Sequence, residues 1–425
     1  MSARDAPAAV PDAVAPPPRH RRFPLVDGVR AIAVLTVVAV HAAVFGHAID
    51  GSPAGRLLAH LNVGVTIFFL VSGFLLYRPF VAHRGGGAAP PAVGQYAKRR
   101  LLRIFPAYWL VVTVLVLVPG TTGVVAGEWW QQYGLLQTLP LADGPGCTGE
   151  ILRCGVAQTW SLVVEVTFYA VLPLYVLLAA RITRGAGVAR WMWTELGLLA
   201  LLSVVSLALH FAVLEPAPRS VVGGSVVGFA FWFALGMGMA VVSVALDGRA
   251  APARLGAGHA GLLWLGAAAL YVALSVALPA TPFVVSRRDQ LAVHLAFGVI
   301  ALLVLAPAVF GDGAGGLVRR LLRHPVAAWL GLISYGIFLW HYVIALELGP
   351  AGLDAGFGTV LAGTLALAIP CAALSYYAVE RPLLRRKHRA GAGRAGLAAA
   401  LPGPPREPQR APACGRAPGP RRARP

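Results

Sequence analysis

Charge is what this chain has least of. Only 12% of its 425 residues are Asp, Glu, Lys or Arg, roughly half the share of a water-soluble globular domain. Lysine is almost missing: Lys98 and Lys387 stand alone among 36 basic residues, and the other 34 are Arg. Acidic residues number 17, which leaves a formal net charge of +19. Four cysteines are too few for a disulfide-built scaffold. Fixed-period repeats are also missing, including the inverted halves of many transporters. The chain is instead 57% hydrophobic with a mean hydropathy of +0.70. Those values belong to a membrane protein rather than to a soluble domain or a nucleic-acid binder.

Apolar stretches of about 17–25 residues are long enough to cross a bilayer as helices. Ten stand out: 29–49, 61–82, 104–119, 157–180, 196–214, 223–246, 261–279, 290–310, 326–348 and 356–379. The sequence therefore predicts an all-α, polytopic helix bundle with about ten transmembrane helices. The connecting loops alternate in charge. One set, with both termini, holds 31 basic residues and the other set holds 5, while the acids divide evenly. By the positive-inside bias this places both termini in the cytoplasm, as expected of a multi-pass protein of the plasma (inner) membrane. A basic excess sorted to one side argues against a nucleic-acid partner.

Residues 1–22, rich in Pro, Ala and Arg, read as a disordered segment, and 389–425 read as a disordered Pro/Gly/Arg-rich cytoplasmic tail near anionic lipid. The membrane domain runs between them, over 23–388. In the predicted outer loop 120–156, Cys147 and Cys154 are compatible with a disulfide and equally with two free thiols.

Ionisable side chains inside a membrane are costly, so each is a functional candidate by default. The candidates are Arg30, His41, Glu165, His210, His294 and His341. His41 is 12 residues into the first span, about 18 Å at 1.5 Å per residue. Glu165 enters from the opposite side and lies about 12 Å from the outer edge of a core ~30 Å thick. Both therefore sit near 18 Å from the inner face, by the same arithmetic. A carboxylate beside an imidazole would orient it and raise its basicity, as a general base requires. The alternative is a structural hydrogen bond joining two helices. Asp27 reads as an N-cap for the first helix, with Gly28 turning the chain into it. Arg30 lies close enough to the interface to snorkel. His210 and His294 lack supporting context and read as structural.

In "YAKRRLLRIFPAYW" (96–109), Lys98, Arg99, Arg100 and Arg103 cluster at the inner mouth of the third span. Arg100 and Arg103, three apart, share one helix face. Guanidinium groups on one face suit a polyanionic phosphate ligand, although ordinary positive-inside anchoring would look the same.

The order of motifs resembles the acyltransferase-3 family of integral membrane acyltransferases. "PLVDGVRAIAVLTVVAVHA" is similar to its opening signature, in which ten residues separate an Arg from a His, here Arg30 and His41. "FFLVSGFLLYRPF" (68–80), "YAKRRLLRIFPAYWL", "TWSLVVEVTFYAVLPLY" (159–175), "SYGIFLWHYVI" (334–344) and "YYAVERPLLRR" (376–386) resemble its later motifs in turn. The chain departs from the pattern after Glu165, where Val166 and Thr167 stand in place of the family's common second Glu and Gln.

The resemblance implies transfer of an acyl group, usually acetyl, from acetyl-CoA to a hydroxyl. The acceptor would be a carbohydrate, a cell-envelope glycan or a glycosylated secondary metabolite. No permanently bound cofactor or metal is expected, and acyl-CoA would be a co-substrate. Arg30, Arg99, Arg100 and Arg103 would then take the CoA phosphates, and the pantetheine arm would reach inward. His41 would be the base, with Glu165 orienting it, and Ser72 and His341 would contact substrate. A proton-coupled transporter or flippase relaying through His41 and Glu165 is the rival reading.

Overall fold

A computed structural model of the chain describes residues 23–86, 91–118, 129–136, 156–212, 225–246, 250–281, 286–310, 316–350 and 353–384. The Cys147–Cys154 pair, the segment 1–22 and the tail 389–425 lie outside the described residues. Every regular element among the described residues is helical. In chain order these are α1 (Pro24–Phe45), α2 (Pro53–Ala59), α3 (Val63–Gly86), α4 (Val93–Leu117) and α5 (Trp129–Gly134). A short 3₁₀ turn, Ala157–Thr159, leads into α6 (Trp160–Ile182), α7 (Val188–Ala212), α8 (Val226–Ala245), α9 (Ala250–Ala277) and α10 (Arg287–Val309). The last are α11 (Leu317–Leu322), α12 (Pro325–Leu348) and α13 (Phe357–Ser375), which runs into a π-helical turn at Tyr376–Glu380.

Ten helical segments among the described residues are long and apolar enough to span a membrane, and they coincide with the ten stretches legible in the sequence. The third differs most. Helix α4 starts at Val93, ahead of the expected limit at 104, so the whole basic stretch at 98–103 lies inside the helix. The start of α1 also differs. Phe23 holds the cap position, and Asp27 falls inside the first turn, where it pairs with Arg30 at 3.6 Å. Gly28 is therefore not a turn residue. A Cβ there would lie 2.4 Å from the Leu322 carbonyl oxygen, so its role is to let α11 approach.

Helices in lipid gain little from hiding apolar side chains, so they associate where small residues allow close backbone packing. A Cβ on Gly331 of α12 would lie 1.9 Å from the Asp27 carbonyl oxygen of α1. A Cβ on Gly236 of α8 would lie 2.1 Å from the Leu70 carbonyl oxygen of α3. Helix α1 also packs on α3, α10 and α13, which makes it the central strut of the bundle. Buried Arg319 of α11 closes the far end of α10, donating from Nε to the Pro307 carbonyl at 3.3 Å and from Nη2 to Phe310 at 3.1 Å. A cation at a helix C-terminus satisfies carbonyls that have no intrahelical donor.

Gly236→Ala is expected to lower the thermal unfolding midpoint in detergent, because a methyl group forced against a backbone oxygen costs about 1–3 kcal/mol. Gly261→Ala, which meets nothing within 4 Å, should leave the midpoint unchanged or raise it slightly. A fluorescence thermal-shift comparison of the two distinguishes packing from a general intolerance of α-helical alanine.

Candidate active site

Glu165 faces inward from α6, and its Oε1 accepts from the Ser72 hydroxyl of α3 and from the Tyr169 hydroxyl, the latter at 2.5 Å. Tyr169 is one turn along the same helix, the i,i+4 relation that lets two side chains meet. Its ring carries the Arg100 guanidinium 5.9 Å from the centroid, close enough for a cation–π contact. A chain of contacts thus runs from Ser72 through Glu165 and Tyr169 to Arg100 and joins α3, α6 and α4.

These groups line one cavity of about 220 Å³ with Asp27 and Arg30 of α1, Arg103 of α4 and Ser161 of α6. Ser334, Tyr335 and Phe338 of α12 complete it. Three guanidinium groups therefore face two carboxylates across one space. Arg30 does not snorkel outward: its side chain is 13% exposed and turned into the cavity beside Asp27. Arg100 Nε is buried without a hydrogen-bond partner, a donor left unused within the protein. Arg99 lies on the exposed side of α4, where it donates to Gln95 Oε1 at 3.1 Å, and it does not line the cavity.

His41 occupies a separate position. Its Nδ1 lies 3.1 Å from His341 Nε2 and 2.9 Å from the Val37 carbonyl oxygen. His341 is fully buried, and its Nδ1 donates to the carbonyls of Phe338 and Ile337 at 2.7 and 3.2 Å. The tautomers follow from this network. A neutral His341 that donates from Nδ1 keeps its lone pair on Nε2, which accepts from His41 Nδ1–H. His41 Nε2 is then the ring nitrogen left with a lone pair and no hydrogen bond. Phe338 lines the cavity, so the imidazole pair sits one turn of α12 beyond the cavity wall. The arginine end and the imidazole end are far apart. Arg30 and His41 are eleven residues apart on α1, about 16 Å along its axis.

The expected pairing of His41 with Glu165 is therefore not what the fold makes. No hydrogen bond joins them: Glu165 is held by Ser72 and Tyr169, and His41 by His341. Depth arithmetic placed both side chains at one level, but helix rotation about its own axis selects partners. His341 is level with His41. Ser72 is a hydrogen-bond donor in a helix that continues through Ser72–Gly73 to Gly86. The rings of His210 and His294 meet at a tilt with centroids 5.0 Å apart, and His294 stacks on Trp232 at 4.2 Å. Neither lines the cavity, consistent with the structural reading.

Several polar residues in the interior carried no sequence assignment. Tyr169 had a usable signal, its i,i+4 spacing from Glu165. Tyr335 donates to the Ile104 carbonyl at 3.0 Å and had none. Glu380 is 5% exposed in the π-helical turn, within electrostatic reach of Arg103 and Arg30. A π-turn inserts one residue and re-aims the side chains after it, which a periodic reading of the sequence does not register.

The acyltransferase domain profile matches residues 23–379. Among curated proteins, the acyltransferase MdmB of Streptomyces mycarofaciens is 27% identical over 396 residues, covering 87% of this chain and 93% of that protein. The exopolysaccharide production protein ExoZ of Rhizobium meliloti is 30% identical, covering 79% of this chain and 94% of that protein. The peptidoglycan O-acetyltransferase OatA of Listeria monocytogenes is 25% identical over 76% of this chain, which spans only 50% of OatA's length. No solved structure matches. With the family profile covering most of the described bundle, the chain belongs to the acyltransferase-3 family and is a polytopic membrane acyltransferase of the kind that moves groups other than aminoacyl groups.

Proposed function

We propose that the protein transfers an acetyl group from acetyl-CoA to a hydroxyl of a carbohydrate, either a cell-envelope glycan or the sugar of a glycosylated secondary metabolite. The observation that carries this reading is the polarity of the interior, with arginines at one end and a free imidazole nitrogen at the other. Two relatives are named for peptidoglycan and exopolysaccharide, which supports a carbohydrate acceptor. In this reading the basic loops face the cytoplasm of the plasma membrane, so the donor enters from that side.

Arg30, Arg100 and Arg103 bind the pyrophosphate of the donor, for which Arg100 Nε is an available donor and guanidinium geometry is suited. Arg99, on the exposed side of the same turn, meets the nucleotide outside the cavity. The pantetheine arm follows the cavity toward the imidazole pair and carries the thioester to it. His41 Nε2 removes the proton from the acceptor hydroxyl as the oxygen attacks the thioester carbonyl. The carbon–sulfur bond then breaks and the CoA thiolate leaves. His341 holds His41 in the required tautomer, replacing the orienting role first expected of Glu165. Glu165 is a positioning residue: through Tyr169 it fixes Arg100. Direct transfer needs only base catalysis and placement. The transporter alternative needs a relay between His41 and Glu165, and the two share no hydrogen bond.

The test is acyl transfer by the purified protein in nanodiscs, with labelled acetyl-CoA and a panel of glycans and glycosylated macrolides. His41→Ala should reduce kcat/KM about 10²–10⁴-fold, the usual contribution of a general base. Normal turnover by this variant would end the assignment. Arg100→Ala and Arg103→Ala should each raise KM for acetyl-CoA about 10-fold or more, the loss of one charge-assisted hydrogen bond, without changing KM for the acceptor. An unchanged donor KM with reduced membrane insertion would return these residues to simple anchoring. Glu165→Gln should raise donor KM less than Arg100→Ala does, and a loss confined to kcat would instead place Glu165 at the reacting atoms.

A further inference from the structure

For transfer at His41, a thioester carried along the arginine-lined cavity must arrive in register with the imidazole pair. The two halves of that path belong to different parts of the bundle. Ser161, Glu165 and Tyr169 stand on α6, which packs on α3, α4 and α8. The imidazole pair stands on α1 and α12. The 3₁₀ turn Ala157–Thr159 leads into α6 and packs on α12, so it joins the two.

Gln158 is the middle residue of this turn and is 3% exposed. Its Nε2 donates to the Leu339 carbonyl of α12 at 3.0 Å, and its own carbonyl accepts from the Ser161 hydroxyl at 3.2 Å. Ser161 lines the cavity, and so does Phe338, the residue before Leu339. His341 follows two residues later, and its Nδ1 donates to the carbonyls of Ile337 and Phe338. Gln158 therefore grips α12 in the same turn that holds His341, where the cavity ends. The 3₁₀ turn is itself firmly seated. Thr159 is fully buried and its Oγ1 donates to the Val156 carbonyl at 2.6 Å, while Val156 packs in one core cluster with Val37, Ile337 and Leu339.

Packing alone does not explain an amide here. A carbonyl can only accept, so the Gln158 nitrogen must face Leu339 and its oxygen must face away. That oxygen is buried without a hydrogen-bond partner, which costs stability. The Leu339 carbonyl lies inside α12, which runs without a break over Pro325–Leu348, so the N–H four residues on already bonds to it. Gln158 thus rescues no orphan acceptor. An apolar side chain of the same length would serve stability at least as well. What the amide adds is a directed link between the end of the cavity and the turn that carries His341.

We propose that Gln158 is a positioning residue for the imidazole pair. By holding α12 at Leu339 it fixes His341. Through the bond between His341 Nε2 and His41 Nδ1 it then sets where His41 Nε2 lies relative to the donor cavity. The role presupposes that His41 is the base, as proposed above.

The test uses the full chain in nanodiscs and the variant Gln158→Met, which keeps the length and removes both the donor and the unpartnered oxygen. Its kcat should fall about 10–100-fold, the cost of roughly an ångström of misplacement. KM for acetyl-CoA should stay as in the wild type, because Arg30, Arg100 and Arg103 are untouched, and the thermal midpoint should stay or rise. Gln158→His, whose ring N–H can reach the same carbonyl, should keep most of the turnover. Labelling with diethyl pyrocarbonate, mapped by peptide mass spectrometry, reads the pair without turnover. His341 should label several-fold faster in Gln158→Met than in the wild type, as its Nε2 is released from His41. An unchanged kcat would overturn the proposal. A lowered midpoint or a failure to fold would also overturn it, by making Gln158 a structural residue, and so would a raised KM for the acceptor, by placing it against substrate. Should His41→Ala keep its turnover, the catalytic reading fails by itself, and the labelling of His341 still decides whether Gln158 holds the pair.

Discussion

A carboxylate inside a membrane bundle must find donors within the protein, because lipid offers none, and the donors that Glu165 finds arrange the space around it. Ser72 comes from α3 and Tyr169 from one turn further along α6, both to the same carboxylate oxygen. Tyr169 in turn lies beneath Arg100, so a single half-buried carboxyl group ties three helices together and holds a guanidinium over the cavity. Removing Glu165 would release both hydroxyls and the support of that arginine together. Replacing it with a neutral amide keeps the volume and tests the charge alone.

The cavity exists where it does because the helices around it meet at small residues on either side. Gly331 brings α12 onto α1, and Gly236 brings α8 onto α3. These close approaches lock the relative rotation of the helices. The space left between α1, α3, α4, α6 and α12 holds the long side chains of Arg30, Arg100, Arg103, Glu165 and Tyr169 among apolar ones, while the close interfaces are made at glycine. The imidazole pair depends on the same contact. His341 is ten residues along α12 from Gly331, on a helix whose distance from α1 that glycine sets. His41 and His341 meet because α1 and α12 run side by side over most of their length.

The ten spans and the sorting of basic residues were legible because both follow from single-residue properties summed along the chain. Arg100 and Arg103 were legible as a pair because a spacing of three is a statement about one helix. Asp27 was not, since the helix begins earlier than its capping chemistry suggests and the aspartate spends its charge on Arg30. Tyr335 and Glu380 were not legible either. Tyr335 reaches the cavity on a helix far in sequence from α4, to whose Ile104 carbonyl it donates, and Glu380 is buried in a π-turn within electrostatic reach of Arg103 and Arg30.

What the amino-acid sequence determined by itself is the membrane class, the number and approximate limits of the spans, and the motif order that marks the family. It also determined which ionisable residues are placed at depth. Only the tertiary structure decided who meets whom: His41 with His341, Glu165 with Ser72 and Tyr169, and Arg30 inward rather than toward the headgroups. Hydropathy and helical rise locate a residue along the membrane normal. Rotation about the helix axis is set by side-chain packing among helices distant in sequence, and a partner is specified only when both coordinates are known.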